Sequence, residues 1–256
     1  MKKILVALAA FAVAGTAPLA AADPAGDLKQ FREFFKKKFP NVKFDDYAIG
    51  LYSLPGMDDH KAQWEAISEF PPFEIGLEDG RKEWSTPFKN GKRFADCFKN
   101  GGKNIAQHYP YWSDEKQEVR TAEMDLIDCA KKNGEERPYT TADLSKDAKA
   151  RVQLANLTAA FYEQSKGQRV SIDISKPGAV NAYEDGKKFW WARRGQLNFA
   201  CSACHMDMAG KNLGGNQPLS AALGHPVGWP AFRVVWDQLE TVHQRYATCN
   251  SQVRAK

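Results

Sequence analysis

Past residue 22 the sequence has no apolar run long enough to cross a bilayer, no large charge of either sign, no second C-x-x-C and, beyond position 208, no methionine. Each absence excludes something. Without a span, no membrane attachment is expected once the leader is removed. The formal charge of +5 over 256 residues drops to +3 without Lys2 and Lys3. That is too weak and too scattered for a nucleic-acid surface, although mild basicity suits docking to an acidic partner. A zinc ribbon would need a second C-x-x-C or a histidine pair, and neither is present.

What precedes residue 22 is different in kind. Lys2 and Lys3 lead into an apolar run from Ile4 to Leu19, followed by Ala20, Ala21 and Ala22. This pattern predicts a secretory leader over residues 1–22 and export to the periplasm, where disulfides persist.

The densest chemistry lies in Cys201-Ser202-Ala203-Cys204-His205. In an exported chain, C-x-x-C-H is the attachment site of one covalently bound haem c: Cys201 and Cys204 bond the haem and His205 supplies an axial nitrogen to the iron. A redox-active C-x-x-C has no use for the histidine.

The approach to this motif occurs twice. Glu78-Asp79-Gly80-Arg81-Lys82-Glu83-Trp84 resembles Glu184-Asp185-Gly186-Lys187-Lys188-Phe189-Trp190, and Gly91 precedes Cys97 by the interval that separates Gly195 from Cys201. The expected fold is mainly α, with two cytochrome c-like domains related by internal duplication, over residues 23–150 and 151–256. Asn100 and Gly101 stand where the second copy has Cys204 and His205, so the N-terminal domain is expected to be haem-free.

Periodicity fills in the elements. Phe31, Phe34, Phe35 and Phe39 predict a helix that ends at Lys36-Lys37-Lys38 and Pro40. Residues 41–72, with a helix near Asp59–Glu69, read as a cover over the first domain. Thr140–Gly167 reads as a helix capped by Asp143, and Gln168–Val180 as an extended piece turning at Pro177-Gly178. The glycine-rich stretch 206–230 reads as a loop around one haem face. A last helix is predicted from Val235, Leu239, Val242, Tyr246 and Cys249, which put Cys249 on its apolar stripe.

Three cysteines remain after the haem takes two. By the repeat, Cys97 corresponds to Cys201 and Cys129 to Cys249; if the halves share a fold, Cys97 and Cys129 can form a disulfide, two buried thiols being the alternative. For the sixth iron ligand, Met206 and Met208 are too near His205 to cross the ring, His225 and His243 are candidates, and Cys249 as a thiolate is preferred. Arg245 lies one helical turn before Cys249, where a guanidinium can hold a sulfur oxyanion.

Together, the leader, the paired halves, C-S-A-C-H and the near-terminal Arg245-Tyr246-Ala247-Thr248-Cys249 resemble the SoxA family of bacterial thiosulfate oxidation. The resemblance implies an L-cysteine S-thiosulfotransferase of the single-haem form, whose first half keeps a disulfide. It further implies that Cys249 is both haem ligand and persulfide-type catalytic sulfur. The partners it implies are a SoxX-type cytochrome c subunit, a SoxYZ-type carrier, thiosulfate and an electron-accepting cytochrome c. A non-catalytic periplasmic electron-transfer cytochrome c is the alternative, with a docking subunit as a third reading.

Overall fold

The first helix starts where Asp23 accepts a hydrogen bond from the Gly26 amide at 2.9 Å with Pro24 at its first position, and it ends at three lysines that complement the helix dipole. This helix, α1 (Pro24–Lys38), opens a mainly helical chain whose computed structural model describes residues 22–215 and 217–255. The expected leader, apart from Ala22, lies outside those residues. No described helix is long and apolar enough to cross a membrane.

A 3₁₀ segment over Phe44–Ser53 leads to α2 (Asp58–Ser68) and α3 (Phe73–Ser85). Short 3₁₀ turns carry the chain past Cys97 to strand β1 (Tyr111–Ser113), which pairs antiparallel with β2 (Glu118–Arg120). Helix α4 (Ala122–Lys132), the single turn α5 (Pro138–Thr141) and α6 (Ala148–Glu163) complete the first half. Helix α7 (Pro177–Trp191) opens the second half, followed by a π-type turn over Ala203–Asp207. The hairpin β3 (Asn212–Leu213) and β4 (Gln217–Pro218) comes next, then β5 (Ala231–Arg233) and β6 (Gln238–Glu240), and α8 (Val242–Gln252) closes the chain.

The core of the first half is aromatic. Phe94 and Phe161 are wholly buried with Leu126 and Leu157, and Trp84, Phe98 and Tyr109 pack on Phe161 with ring centroids 5.0–5.8 Å apart. Helix α3 fits against α6 because position 80 is glycine: a Cβ there would lie 2.0 Å from the Asn156 carbonyl oxygen. A disulfide joins Cys97 to Cys129 across this core, with Cα atoms 5.9 Å apart.

Several expectations are corrected. Residues 41–57 cover the second half instead of the first: Phe35, Tyr47, Leu54 and Met57 share a core with Met206, Ala209, Ala221 and Ala222. The single helix expected over 140–167 is α5 and α6, with Asp147 capping α6 through the Ala150 amide while Asp143 bonds Ser145. Pro177 does not turn a hairpin. It takes the first position of α7, where a missing N–H costs nothing. The loop expected over 206–230 contains the β3–β4 hairpin and a 3₁₀ turn.

The last helix begins at Val242, not near Val235. Residues 234–237 form the tip between β5 and β6, with Asp237 at φ 50°, and Thr241 then caps α8 through the Gln244 amide. Val235 is 79% exposed, so its place in the apolar stripe was a coincidence of spacing.

Candidate functional site

Elements around the two cysteines Cys129 and Cys249 recur 120 residues apart. Each copy has a three-residue hairpin whose second strand follows a left-handed residue, Gln117 or Asp237. Each then has a threonine N-cap, Thr121 or Thr241, and an eleven-residue helix carrying the cysteine. The burial differs. Helix α4 buries Ala122, Leu126, Cys129 and Ala130, whereas no residue of α8 is buried, and Tyr246, the counterpart of wholly buried Leu126, is 46% exposed.

Cys204 and His205 sit on the tight π-type turn, with Cys201 two residues before its start, in a stretch reached from Gly195. That glycine has a φ of 68°, and a Cβ on it would meet the Val253 carbonyl oxygen at 2.0 Å. Only glycine lets the chain pass so close to the end of α8. His205 is oriented from outside its own turn: its Nδ1 lies 3.0 Å from the Ser220 carbonyl, which fixes the proton on Nδ1 and leaves Nε2 unprotonated. Burial holds the His205 imidazole below its ordinary pKa, so it is neutral.

The other histidines do not share this role. His225 packs beside His205 with ring centroids 4.8 Å apart, so it is on the same side as His205, and burial with His205 and the nearby arginines pushes its pKa down to about 4. His243 faces Glu123 of α4 across 3.6 Å. Met206 is buried in the core with Phe35, and Met208 is exposed.

Cys249 is partly buried on α8. Burial pushes its thiol upward, Arg245 pulls it back, Cys201 adds to the rise and Arg233 again lowers it. The Gln196 and Leu197 amides, just before Cys201, donate to the Arg254 and Val253 carbonyls at the end of α8, so Cys201, Cys204 and Cys249 belong to one site. Among the described residues no three His, Cys, Asp or Glu side chains converge as the ligands of a bare ion would. Two thiols, a neutral imidazole nitrogen and a third thiol are instead a donor set that would hold a haem by two covalent bonds and supply nitrogen and sulfur to its iron. The donor chemistry, the free Nε2 and the unburied face of α8 all fit a haem c.

Sequence reasoning missed three residues here. Ser220 orients His205 through its backbone, for which no side-chain signal exists. Arg194 places Nη1 3.6 Å from the Cys201 sulfur. Arg233, at the end of β5, is hidden from a helical reading because only strand geometry turns it toward Cys249. Arg254 lines a cleft with Phe189, Arg194 and Asn250.

A small helical protein with a thiol pair and a histidine poised on one turn is a c-type cytochrome. Residues 79–170 match the family described as SoxA/TsdA, cytochrome c domain, a match that covers the half without the C-x-x-C-H motif. The L-cysteine S-thiosulfotransferase subunit SoxA of Chlorobaculum tepidum is 41% identical over 90% of this chain and 76% of that protein. The protein of the same name from Allochromatium vinosum is 41% identical over 93% and 81%. The crystal structure of SoxXA from P. pantotrophus superposes with a TM-score of 0.60 at 22% identity, covering 73% of this chain and 67% of that one. The chain belongs to the SoxA family, and its cofactor is covalently bound haem c.

Proposed function

We propose that this chain is the single-haem catalytic subunit of a periplasmic thiosulfate-oxidising pair, an L-cysteine S-thiosulfotransferase that joins thiosulfate to a cysteine of a SoxYZ-type carrier. The observation that carries the reading is Cys249: a thiol under two guanidinium charges, gathered with the C-x-x-C-H cysteines, in a chain 41% identical to proteins of that name.

Cys201 and Cys204 would hold the haem covalently, and His205 Nε2 and the Cys249 sulfur would supply donors to its iron. His225 and His243 are drawn away by their own contacts. When bound, the haem supplies an electron acceptor next to the reacting sulfur. The net reaction forms one S–S bond between the carrier thiol and the outer sulfur of thiosulfate, releases the thiol proton and gives up two electrons. Two electrons must leave the site, and a SoxX-type cytochrome c subunit and a further electron-accepting cytochrome c would take them up. Cys249 serves as a persulfide-type sulfur, polarizable enough to accept and pass on a sulfur fragment, and Arg245 binds the oxyanion end of the substrate.

The first half is proposed as a haem-free copy of the same cytochrome unit. Four observations support this: the recurrent hairpin and capped helix, the cytochrome c match over residues 79–170, the aromatic filling of its core, and the left-handed backbone at Asn100 and Gly101. The disulfide there ties the two positions whose counterparts, Cys201 and Cys249, serve the haem.

The test is Cys249→Ser in the purified holoprotein. Thiosulfate-dependent haem reduction in the presence of carrier should fall at least a hundredfold, and the intact mass of the wild-type protein should show added sulfur at Cys249. Retained turnover with no sulfur adduct would leave a plain electron-transfer cytochrome as the function.

A further inference from the structure

The two copies of the hairpin and helix share a frame but reverse its charge. In the first half, Arg120 is 4% exposed and sits among three carboxylates, with Glu118 at 2.7 Å, Asp125 at 2.8 Å and Asp128 at 2.5 Å. The corresponding residues of the second half are Glu240, Gln238, Arg245 and Thr248. A single buried carboxylate, 2% exposed, replaces the arginine, and one arginine and two neutral residues replace the three carboxylates. Arg233 then enters from β5, where the first half has Ser113.

This leaves two guanidinium groups with little to neutralise them. Both lie near Glu240: Arg233 from across the hairpin at 3.9 Å, and Arg245, one turn from Cys249, at the position from which Asp125 reaches Arg120 in the first half. Among the described residues, Glu240 is the one carboxylate within 4.0 Å of either, and it reaches only Arg233 Nε at 3.9 Å, which is not a hydrogen bond. Arg233 Nε is buried without a hydrogen-bond partner. An unpartnered buried donor costs free energy unless a ligand uses it, and two like charges beside one thiol repel unless an anion lies between them. Arg120 shows that the same frame can saturate a buried guanidinium when nothing else has to bind there.

The geometry points to Arg233 as the second arm of a two-arginine clamp that, with Arg245, holds the sulfonate end of a dianionic sulfur substrate against Cys249. This rests on the thiosulfate reading above and adds a residue that sets affinity and discriminates by charge. A thiosulfate dianion, with three terminal oxygens, can accept from both forks at once. A neutral sulfur compound lacks that acceptor set, and a monoanion leaves one of the two positive charges uncompensated.

The test is the dissociation constant of thiosulfate measured by titration calorimetry on the holoprotein, alongside KM and kcat with carrier. Haem content and circular dichroism report on the fold. Arg233→Gln should weaken thiosulfate binding and raise KM about ten- to a hundredfold. Paired with Arg245→Ala, the losses should be less than multiplicative, because both groups hold one anion. Arg233→Lys, which keeps the charge but not the fork, should retain the fold if the glutamine variant does not, and should weaken binding about fivefold. An unchanged dissociation constant in either Arg233 variant, with Arg245→Ala impaired, overturns the clamp and leaves the thiosulfate reading standing. A wild-type protein with no affinity for thiosulfate would remove that reading itself.

Discussion

At the scale of single residues, the site is a set of charges balanced on one thiol. Burial works against a thiolate at Cys249, and Arg245 is the first group that opposes it. Removing that guanidinium therefore has two effects: the anion loses charge-assisted hydrogen bonds, and the thiol pKa moves further up. Arg245→Ala should lower kcat/KM for thiosulfate about ten- to a hundredfold while leaving one haem per chain, read from steady-state kinetics and a pyridine haemochrome spectrum. Unchanged kinetics would move the anion site to the cleft at Arg254. The C-x-x-C-H residues proposed to hold the haem were legible because their spacing is itself the chemistry. Arg245 was legible because it lies one turn from Cys249 on a helix that exists. Arg233 was not, because Val235 and Leu239 mimic a helical stripe across what is a hairpin, and three-residue strands carry too little periodicity to correct it.

At the scale of elements, sequence likeness and packing part company at the two Glu-Asp-Gly runs. Gly80 of α3 lies under the backbone of α6, and an added methyl would collide with the Asn156 carbonyl. Gly186 of α7 is exposed, with nothing near its Cβ direction. Gly80→Ala should destabilise the protein by about 2 kcal/mol or more through overpacking. Gly186→Ala should be neutral or stabilising by up to about 1 kcal/mol through helix propensity. Thermal denaturation of the two variants checks the opposite signs. The repeat announced both glycines equally; only the tertiary partner, which no local pattern encodes, separates them.

The helices α4 and α8 also meet, through Glu123 and His243, which occupy equivalent positions in the two copies. Burial pushes Glu123 up, but His243 overcomes this, and the carboxyl lies below the usual range; Glu123 in turn holds His243 above its ordinary value. The raised histidine contributes stability that is fully present below its unfolded pKa of about 6.5 and is lost as pH rises through its folded value. The depressed carboxyl contributes stability present above about 4.3 and lost as pH falls through its folded value. The pair is therefore worth most in mildly acidic solution and fades toward pH 8. With His243 half exposed, the effect should stay below about 1 kcal/mol. Denaturation midpoints of wild type and His243→Gln should converge as pH rises from 6 to 8; parallel profiles would show that the contact does not couple to stability.

For the whole molecule, one frame is used twice and stabilised in two ways. A likeness between the halves was visible in the approach to each cysteine, and the hairpin and capped helix recur 120 residues apart. The N-terminal segment was misplaced because aromatic residues such as Phe35 and Tyr47 announce burial without naming the surface that buries them. In the first half, aromatic side chains and a disulfide fill the core; the haem proposed for the second half would do the same there. The Cys97–Cys129 link closes a loop with a sequence separation of 32, which by chain entropy is worth about 3–4 kcal/mol. The double substitution Cys97→Ala, Cys129→Ala should lower unfolding stability by about that amount and expose the first half to protease before the second. Haem content should stay at one per chain, because Cys201, Cys204, His205 and Cys249 contribute nothing to that link. A variant that retained wild-type stability would mean that the aromatic core around Phe94 and Phe161 is sufficient without the disulfide. Loss of haem with the disulfide would mean that the two copies fold as one cooperative unit, joined through the α4–α8 contact and through α6, whose packing reaches both α3 and β6.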